Sequence, residues 1–266
     1  MKALGQHFLT DMSVVARIVT AFDPTTVRAV IEVGPGRGVL TDPLSVRAPK
    51  LIAVEKDLRL TAALREHFAD VSHVHIVGSD ILEADPGMLL NEAGLSERTT
   101  YGVVGNLPYN VGAAVLRHFL EAPQPPLWMV VMLQREVAAG ISAEAGDLGI
   151  LGVAIQVYAE VRHLFNVPAT AFFPPPKVVS SVIRLDIRDE PLVPVGERDW
   201  FFTVVKSGFS APRKQLRNSL AQGLLREVPD VVQALESVDI DSTRRPQTLD
   251  VDDWLRLSRV LIRPGG

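Results

Sequence analysis

Short apolar runs alternate with amphipathic stretches from Val27 to about Val205. This alternation predicts a series of strand–helix–strand units built on a parallel sheet. A later pair of strands has the pattern of an antiparallel addition to that sheet. The predicted strands are Ala29–Val33, Leu51–Val54, Val74–Val77, Gly102–Gly105, Trp128–Leu133 and the later pair Val157–Phe165 and Val179–Asp186, and the predicted helices are Ser13–Ala21, Leu58–Phe68, Gly112–Leu120 and Glu136–Ala143.

The pattern changes after a proline- and glycine-containing segment, Arg188–Glu197, which is typical of a linker. Beyond it the apolar positions follow helical spacing, and no strand pattern remains. We therefore predict an α/β protein with two domains: a Rossmann-like domain over residues 1–190 and a small all-helical domain over residues 191–266. The predicted helices of the second domain are Asp199–Ser207, Lys214–Leu225, Pro229–Ser237 and Val251–Leu261.

Composition narrows the possible functions. The 266 residues are 47% hydrophobic, carry a formal net charge of −4 and include no cysteine. This balance argues against a protein that coats nucleic acid nonspecifically, and the lack of cysteine excludes disulfides and thiolate metal sites. Met1–Leu9 has no apolar signal core, and apolar runs such as Trp128–Leu133 are too short to cross a bilayer. We expect a monomeric cytoplasmic protein with no membrane contact.

A glycine-rich turn, Gly34–Gly38, follows the first predicted strand. Glycines allow the backbone to approach a ligand and present its N–H groups. The spacing lacks the third glycine of a dinucleotide fingerprint, because Val39 stands there, and it lacks the Lys-Ser/Thr of a phosphate loop. A tight turn without a ligand remains the alternative.

Two acids follow the next two strands and favour a nucleoside ligand. Glu55 ends the second strand, where an acid would accept hydrogen bonds from ribose hydroxyls, and Asp80 follows the third, where its carboxylate could accept from an adenine amino group. Either acid alone is equally well a solvated loop residue. Together with the turn they predict an adenosyl pocket with no basic residue for a pyrophosphate, which favours S-adenosylmethionine over NAD or ATP.

The tetrapeptide Asn106-Leu107-Pro108-Tyr109 follows the fourth strand. It resembles the Asn/Asp-Pro-Pro-Tyr/Phe signature of methyltransferases that act on ring-conjugated amino nitrogens. The Asn106 side-chain oxygen and the carbonyl of Leu107 or Pro108 can hold both hydrogens of an adenine N6 and direct its lone pair toward a methyl donor. Tyr109 offers a stacking face, worth roughly 1–3 kcal/mol per base. An ordinary Asn-x-Pro turn is the alternative.

Further motifs occur in order along nearly the whole chain. They are Leu4–Leu9 (LGQHFL), Gly105–Val111 (GNLPYNV), Met132–Val137 (MLQREV), Ala171–Ser181 (AFFPPPKVVSS) and Arg245–Leu249 (RPQTL). In these motifs the chain resembles the KsgA family of small-subunit rRNA adenine N6,N6-dimethyltransferases. The resemblance implies the transfer of four methyl groups to two adjacent adenosines near the 3′ end of 16S rRNA in the small ribosomal subunit, during late assembly.

The resemblance also implies roles for individual residues. Asn106 would contact both the methionine end of the cofactor and the target base, and Tyr109 and Phe172 would sandwich the flipped adenine. For Phe172 a core position is the alternative. No metal is implied. The remaining cofactor-binding residues would be Gln6, His7, Leu9, Gly34, Gly36, Glu55, Lys56, Asp80 and Ile81.

A stretch without acidic residues, 200–226, suggests where RNA binds. A solvated helix face is the alternative. Two residues depart from the family pattern in ways that bear on RNA docking. Pro212 and Ile150 each stand at a position where the family has an arginine. The predicted RNA-binding residues are Lys177, which lies outside this stretch, and Lys206, Arg213, Lys214 and Arg217 within it. Arg226 also lies within the stretch.

Three other functions are compatible with parts of the pattern. An Erm-type enzyme would methylate large-subunit rRNA on a similar scaffold, although the PPPKV loop and the RPQTL tail argue against it. A noncatalytic assembly or transcription factor would keep the fold without turnover, which the intact Asn106, Tyr109, Glu55 and Asp80 disfavour. An NAD dehydrogenase is disfavoured by the glycine spacing.

Overall fold

The computed structural model describes residues 7–261. Its sheets are built from apolar segments, and every residue of the two strands Ala29–Val33 and Leu51–Glu55 is buried. Burial on both faces is expected of central parallel strands. The strands are β1 (Phe8–Leu9), β2 (Ala29–Val33), β3 (Leu51–Glu55), β4 (Val74–Gly78), β5 (Tyr101–Asn106), β6 (Trp128–Gln134), β7 (Ala159–Val167), β8 (Phe172–Phe173) and β9 (Ser180–Ile187).

Seven strands form the main sheet in the order β4-β3-β2-β5-β6-β9-β7. Neighbouring strands from β4 to β6 are parallel, and β9 runs antiparallel to β6. The strand order reverses between β2 and β5, because β3 and β4 extend the sheet on one side and β6 extends it on the other. In open parallel sheets, ligands bind at the carboxyl ends of the strands beside such a reversal.

Aspartate side chains begin several of the helices. Asp11, Asp57, Asp85 and Asp250 each accept a hydrogen bond from a backbone N–H two or three residues later, which satisfies an otherwise unpaired donor of the first turn. The helices are α1 (Met12–Val19), α2 (Thr41–Arg47), α3 (Leu58–His67), α4 (Pro86–Glu92), α5 (Gly112–Leu120), α6 (Arg135–Ile141), α7 (Ile150–Gln156), α8 (Arg198–Phe209), α9 (Leu216–Leu224), α10 (Val228–Glu236) and α11 (Val251–Val260).

Each predicted strand and helix is present, with ends that differ by no more than two residues. The sequence pattern did not predict the strands β1 and β8 or the helices α2, α4 and α7. Each of these helices has seven residues, which is too short to show a clear helical period. Among the described residues no strand occurs after Ile187, as the pattern predicted.

A second, two-stranded sheet brings the N-terminal segment beside a distant loop. β1 pairs antiparallel with β8, with Phe8 opposite Phe173 and Leu9 opposite Phe172. Leu9 and Phe172 are each 4% exposed and belong to the hydrophobic core that covers one face of the main sheet. The pairing therefore fixes β1 beside the Pro174–Pro176 loop.

The described chain divides into two compact units. The first contains the chain up to Ala138 together with Glu160–Ile187, and the second contains Ala139–Ala159 together with the chain from Arg188 onward. The division of function between residues 1–190 and 191–266 stays a prediction. Between residues 7 and 261, no helix has both the length and the apolar character needed to cross a membrane.

Candidate active site

The glycine turn lies at the end of β2, beside the reversal in strand order. Gly34 and Gly36 have φ angles of +67° and +60°, a region that side chains with a Cβ rarely adopt. The backbone N–H of Gly36 donates to Oε2 of Glu55 at 3.0 Å. The turn is therefore held in place by an acid from the neighbouring strand.

Glu55 ends β3 and is almost completely buried, with 6% of its surface exposed. Its second carboxylate oxygen, Oε1, accepts a hydrogen bond from the backbone N–H of Asp57 at 2.8 Å. A carboxylate can accept about four hydrogen bonds, so these two leave acceptor capacity at the edge of the crevice. The position agrees with the one predicted for a ribose-binding acid.

Asp80 lies two residues after β4 and is partly exposed. Its carboxylate accepts a hydrogen bond from Lys56 Nζ at 2.5 Å and another from the backbone N–H of Leu82 at 3.1 Å. The hydrogen bond from Lys56 is the main reason that the pKa of Asp80 lies below its usual value. Lys56 itself is well exposed, whereas Ile81 is buried.

The tetrapeptide Asn106–Tyr109 begins at the last residue of β5. Val33 pairs with Gly105, so Gly34 and Asn106 lie side by side, and a Cβ added to Gly34 would lie 3.7 Å from the Asn106 carbonyl oxygen. Leu107 is buried and its N–H donates to Met132 on β6 at 3.1 Å. The glycine turn and the tetrapeptide therefore share one corner of the sheet.

Hydrogen bonds within the tetrapeptide distinguish its two candidate carbonyls. The Pro108 carbonyl oxygen accepts from the N–H groups of Val111 and Gly112, at 3.1 and 3.0 Å. Those bonds begin α5 and occupy both lone pairs of that oxygen. Of the two carbonyls that the sequence left open, the carbonyl of Leu107 is thus the one suited to bind a substrate amine.

Tyr109 connects three separate segments of the chain. Its hydroxyl lies 2.7 Å from the hydroxyl of Ser180 at the start of β9. Its ring stacks near the His7 ring, with centroids 6.3 Å apart and an interplanar angle of 27°. His7 Nδ1 in turn donates to the Pro174 carbonyl at 2.7 Å. The segment that includes His7 thus reaches the tetrapeptide, while Gln6 lies outside the described residues.

Phe172 and Phe173 differ sharply in exposure. Phe172 is 4% exposed and packs in the core, whereas Phe173 is 66% exposed. The structure therefore places Phe172 where the alternative interpretation, a core aromatic, expected it. Its role in binding the flipped base stays a prediction.

The sequence predictions missed a buried acid beneath the glycine turn. Glu32 on β2 is fully buried, and burial is the main cause that raises its pKa from 4.5 to about 8. The negative charges of Glu55 and Asp42 raise the pKa of Glu32 further, whereas the nearby Thr41 hydroxyl lowers it. The geometry between the Thr41 hydroxyl and the Glu32 carboxyl falls short of a hydrogen bond. Neither Glu32 carboxyl oxygen has a hydrogen-bond partner within the part of the chain that the structure describes. The one indication of this buried acid in the sequence is that Glu32 stands inside the apolar run Ala29–Val33.

The predicted RNA-binding residues lie in two places. Lys206 is exposed on α8, Arg213 and Lys214 are exposed in the turn after it, and Arg217 is partly exposed on α9. Lys177 is exposed in the first unit, in the loop before β9. Their contact with RNA stays a prediction.

The fold and this corner of the sheet define a class of protein. The parallel sheet that reverses between β2 and β5, with an antiparallel strand added beyond β6, has the Rossmann-like topology of class I methyltransferases. The glycine turn after β2 and the acid at the end of β3 occupy the nucleoside-binding positions of that topology.

Comparison with known proteins defines the family. Residues 1–263 match the family model described as "Ribosomal RNA adenine dimethylase". The Ribosomal RNA small subunit methyltransferase A of Dehalococcoides mccartyi is 42% identical over 257 residues, which are 96% of this chain and 86% of that protein. The protein of the same name from Shouchella clausii is 40% identical over 265 residues, covering 98% and 89%. The chain belongs to the ribosomal RNA adenine dimethylase family.

Solved structures confirm the predicted fold class. The crystal structure of the 23S rRNA methyltransferase ErmE matches with a TM-score of 0.76 and 28% identity, covering 96% of this chain and 99% of that one. A dimethyladenosine transferase from Plasmodium falciparum matches with a TM-score of 0.77 over 94% of this chain and 96% of that one. Its identity is 19%, so that match shows the fold alone.

Proposed function

We propose that this rRNA adenine dimethyltransferase transfers four methyl groups from S-adenosylmethionine to N6 of two adjacent adenosines near the 3′ end of small-subunit 16S rRNA. Membership of the family and relatives near 40% identity that are named for the small subunit support this activity. Because its substrate would be an assembling ribosomal subunit, we place the enzyme in the cytoplasm, and the monomeric state expected from the sequence stays part of the proposal.

The residues at the corner of the sheet fit S-adenosylmethionine. Gly34 and Gly36 leave a backbone cradle, Glu55 retains acceptors for ribose hydroxyls, and Asp80 can accept from the adenine amino group. The buried Glu32 carboxyl on β2 has no hydrogen-bond partner among the described residues, so it remains able to form a hydrogen bond with a polar group of a bound ligand. The cofactor supplies an electrophilic methyl group when bound.

Other residues would complete the cofactor site. Arg37 is the basic residue of the glycine turn, and its guanidinium lies over the Phe8 ring, 4.5 Å from the centroid. The glycine spacing, with Val39 where a dinucleotide fingerprint has its third glycine, favours S-adenosylmethionine over a dinucleotide. The remaining members of the proposed cofactor site are Gln6, His7, Leu9, Lys56, Ile81 and Asn106.

Asn106 and Leu107 would hold the amine that is methylated. The lone pair of an adenine N6 is delocalised into the ring, so the free amine is a weak nucleophile. The Asn106 side-chain oxygen and the Leu107 carbonyl would accept its two hydrogens and turn the lone pair toward the methyl group. The N6 proton leaves after attack, when the nitrogen is cationic and acidic, so no strong general base is required.

Tyr109 would stack on the flipped adenine. Its hydrogen bond to Ser180 and its contact with His7 hold the ring in one orientation, which lowers the entropy lost on binding a base. Phe172 is proposed for the opposite face of the base, and its ring, 4% exposed in the core, would have to turn outward to contact it.

The proximity of Gly34 to Asn106 carries the proposal, because it places a cofactor cradle beside an amine-binding tetrapeptide. The test is incubation with labelled S-adenosylmethionine and either undermethylated small subunits or naked large-subunit RNA. We expect dimethyladenosine in the small subunit only. Label in the large-subunit RNA alone would instead favour an activity like that of ErmE, to which the fold is similar.

A further inference from the structure

The two-stranded sheet of β1 and β8 has one buried face and one exposed face. Residues directly opposite each other in an antiparallel pair project to the same face, and successive residues alternate. Leu9 and Phe172 therefore share the face that packs in the core. Phe8 and Phe173 share the other face, where Phe8 is partly exposed and Phe173 is 66% exposed.

The exposed face of the two-stranded sheet lies against the glycine turn, and an arginine side chain packs on it. A Cβ added to Gly36 would lie 3.3 Å from Cδ1 of Phe8, so the Phe8 ring covers the turn. The exposed Arg37 guanidinium lies 4.5 Å from the centroid of the same ring. Phe8, Phe173 and Arg37 together form what we call the aromatic platform.

The backbone links the aromatic platform to the tetrapeptide. His7 immediately precedes Phe8, and Pro174 immediately follows Phe173. The hydrogen bond from His7 Nδ1 to the Pro174 carbonyl closes this end of the sheet, and the His7 ring lies beside Tyr109. The chain segment that carries Phe8 therefore also reaches Tyr109 through the neighbouring His7.

The composition of the aromatic platform matches one kind of ligand. Surfaces that bind single-stranded nucleic acid combine aromatic rings, on which bases stack, with nearby cations that attract the phosphates. The proposed substrate has two adjacent adenosines, and flipping one of them into the site breaks its stacking with the other. The second base then requires another apolar surface.

We propose that the aromatic platform binds the nucleotide next to the target adenosine, with its base stacked on Phe173 and its phosphate near Arg37. This inference rests on the proposed function and extends it to a specificity-determining residue, Phe173, outside the methyl-transfer tetrapeptide. Phe173 acts on RNA binding and not on the cofactor.

The test compares Phe173→Ala, Phe173→Trp and the wild-type chain on undermethylated small subunits. Because one stacked base is worth roughly 1–3 kcal/mol, Phe173→Ala is expected to lower kcat/KM for the subunit by about 5- to 140-fold. Phe173→Trp is expected to keep most of the wild-type value. Met88→Ala removes a similarly exposed apolar side chain on α4 and serves as the matched control. Affinity for S-adenosylhomocysteine is expected to be equal in all four proteins.

An unchanged kcat/KM in Phe173→Ala overturns the proposed role of the aromatic platform and leaves the proposed methyltransferase activity standing. A loss of S-adenosylhomocysteine affinity in Phe173→Ala that parallels its loss of kcat/KM has the same consequence. Equal losses in Phe173→Ala and Phe173→Trp also overturn it, because a tryptophan ring restores stacking. A wild-type chain that transfers no methyl group to small subunits overturns the proposed function and this inference together.

Discussion

The backbone N–H of Gly36 donates a hydrogen bond to the carboxylate of Glu55, 3.0 Å away on the neighbouring strand. One residue thus holds the glycine turn and lines the crevice in which the ribose of the cofactor is expected to bind. The shape of the turn and the chemistry of the pocket therefore depend on the same carboxylate.

Replacement of Glu55 by alanine is expected to weaken binding of S-adenosylhomocysteine. Hydrogen bonds to a charged group are worth about 1.5–3 kcal/mol each, so the loss is expected to be on the order of 10- to 100-fold. Titration calorimetry measures it. Glu55→Gln keeps an acceptor for the Gly36 N–H and is expected to lose less. An alanine variant with wild-type affinity would show that Glu55 only shapes the turn.

Asn106→Ala is expected to lower turnover far more than cofactor affinity. The side-chain oxygen is assigned to the amine in the transition state, and removing such an interaction lowers kcat without an equal effect on ground-state binding. Single-turnover methylation and S-adenosylhomocysteine titration separate the two effects. Asn91→Ala, an exposed amide on α4, is the control. Equal losses of turnover and affinity contradict the assigned role.

Glu32 is expected to make folding stability depend on pH. Burial raises its pKa from 4.5 to about 8, so between these values the unfolded chain has lost a proton that the folded chain keeps. Stability contributed by this group therefore falls as pH rises from about 4.5 to about 8, and then levels off. Thermal unfolding of Glu32→Gln is expected to lack this slope and to exceed the wild-type stability above pH 8. Parallel pH profiles for the two proteins would disprove the assignment.

The basic residues after α8 are expected to bind phosphates. Arg213→Ala combined with Lys214→Ala is predicted to weaken subunit binding and to reduce the slope of log affinity against log salt by about 1 for each phosphate that is no longer neutralised. Affinity measured from low to high salt tests this. Arg98→Ala, an exposed arginine in the first unit, should leave the slope unchanged. An unaltered slope in the double variant would assign these residues to a solvated helix face.

Much of the fold followed from periodicity, and so did the corner of the sheet that carries the site. Val33, Glu55 and Asn106 end buried parallel strands, and the carboxyl ends of such strands share one edge. The hydrogen bonds that occupy two Glu55 acceptors and both lone pairs of the Pro108 carbonyl could not be predicted, because they depend on turns whose geometry the sequence does not specify.

The exposure of three side chains could not be predicted without knowledge of their neighbours in space. Glu32 stands in an apolar run, and only the packing over the face of the sheet shows that its carboxyl is buried. Phe172 and Phe173 are adjacent and chemically identical, so their exposure depends on the register of β8 with β1. Local sequence pattern contains no information on that register, because the partner residue lies far away in the chain.

The most direct test of the central claim is a crystal structure of the chain with bound S-adenosylmethionine. The claim predicts that the transferable methyl carbon points toward the Asn106 side chain and the Leu107 carbonyl, across the turn at Gly34. A methyl carbon directed away from both groups would contradict it.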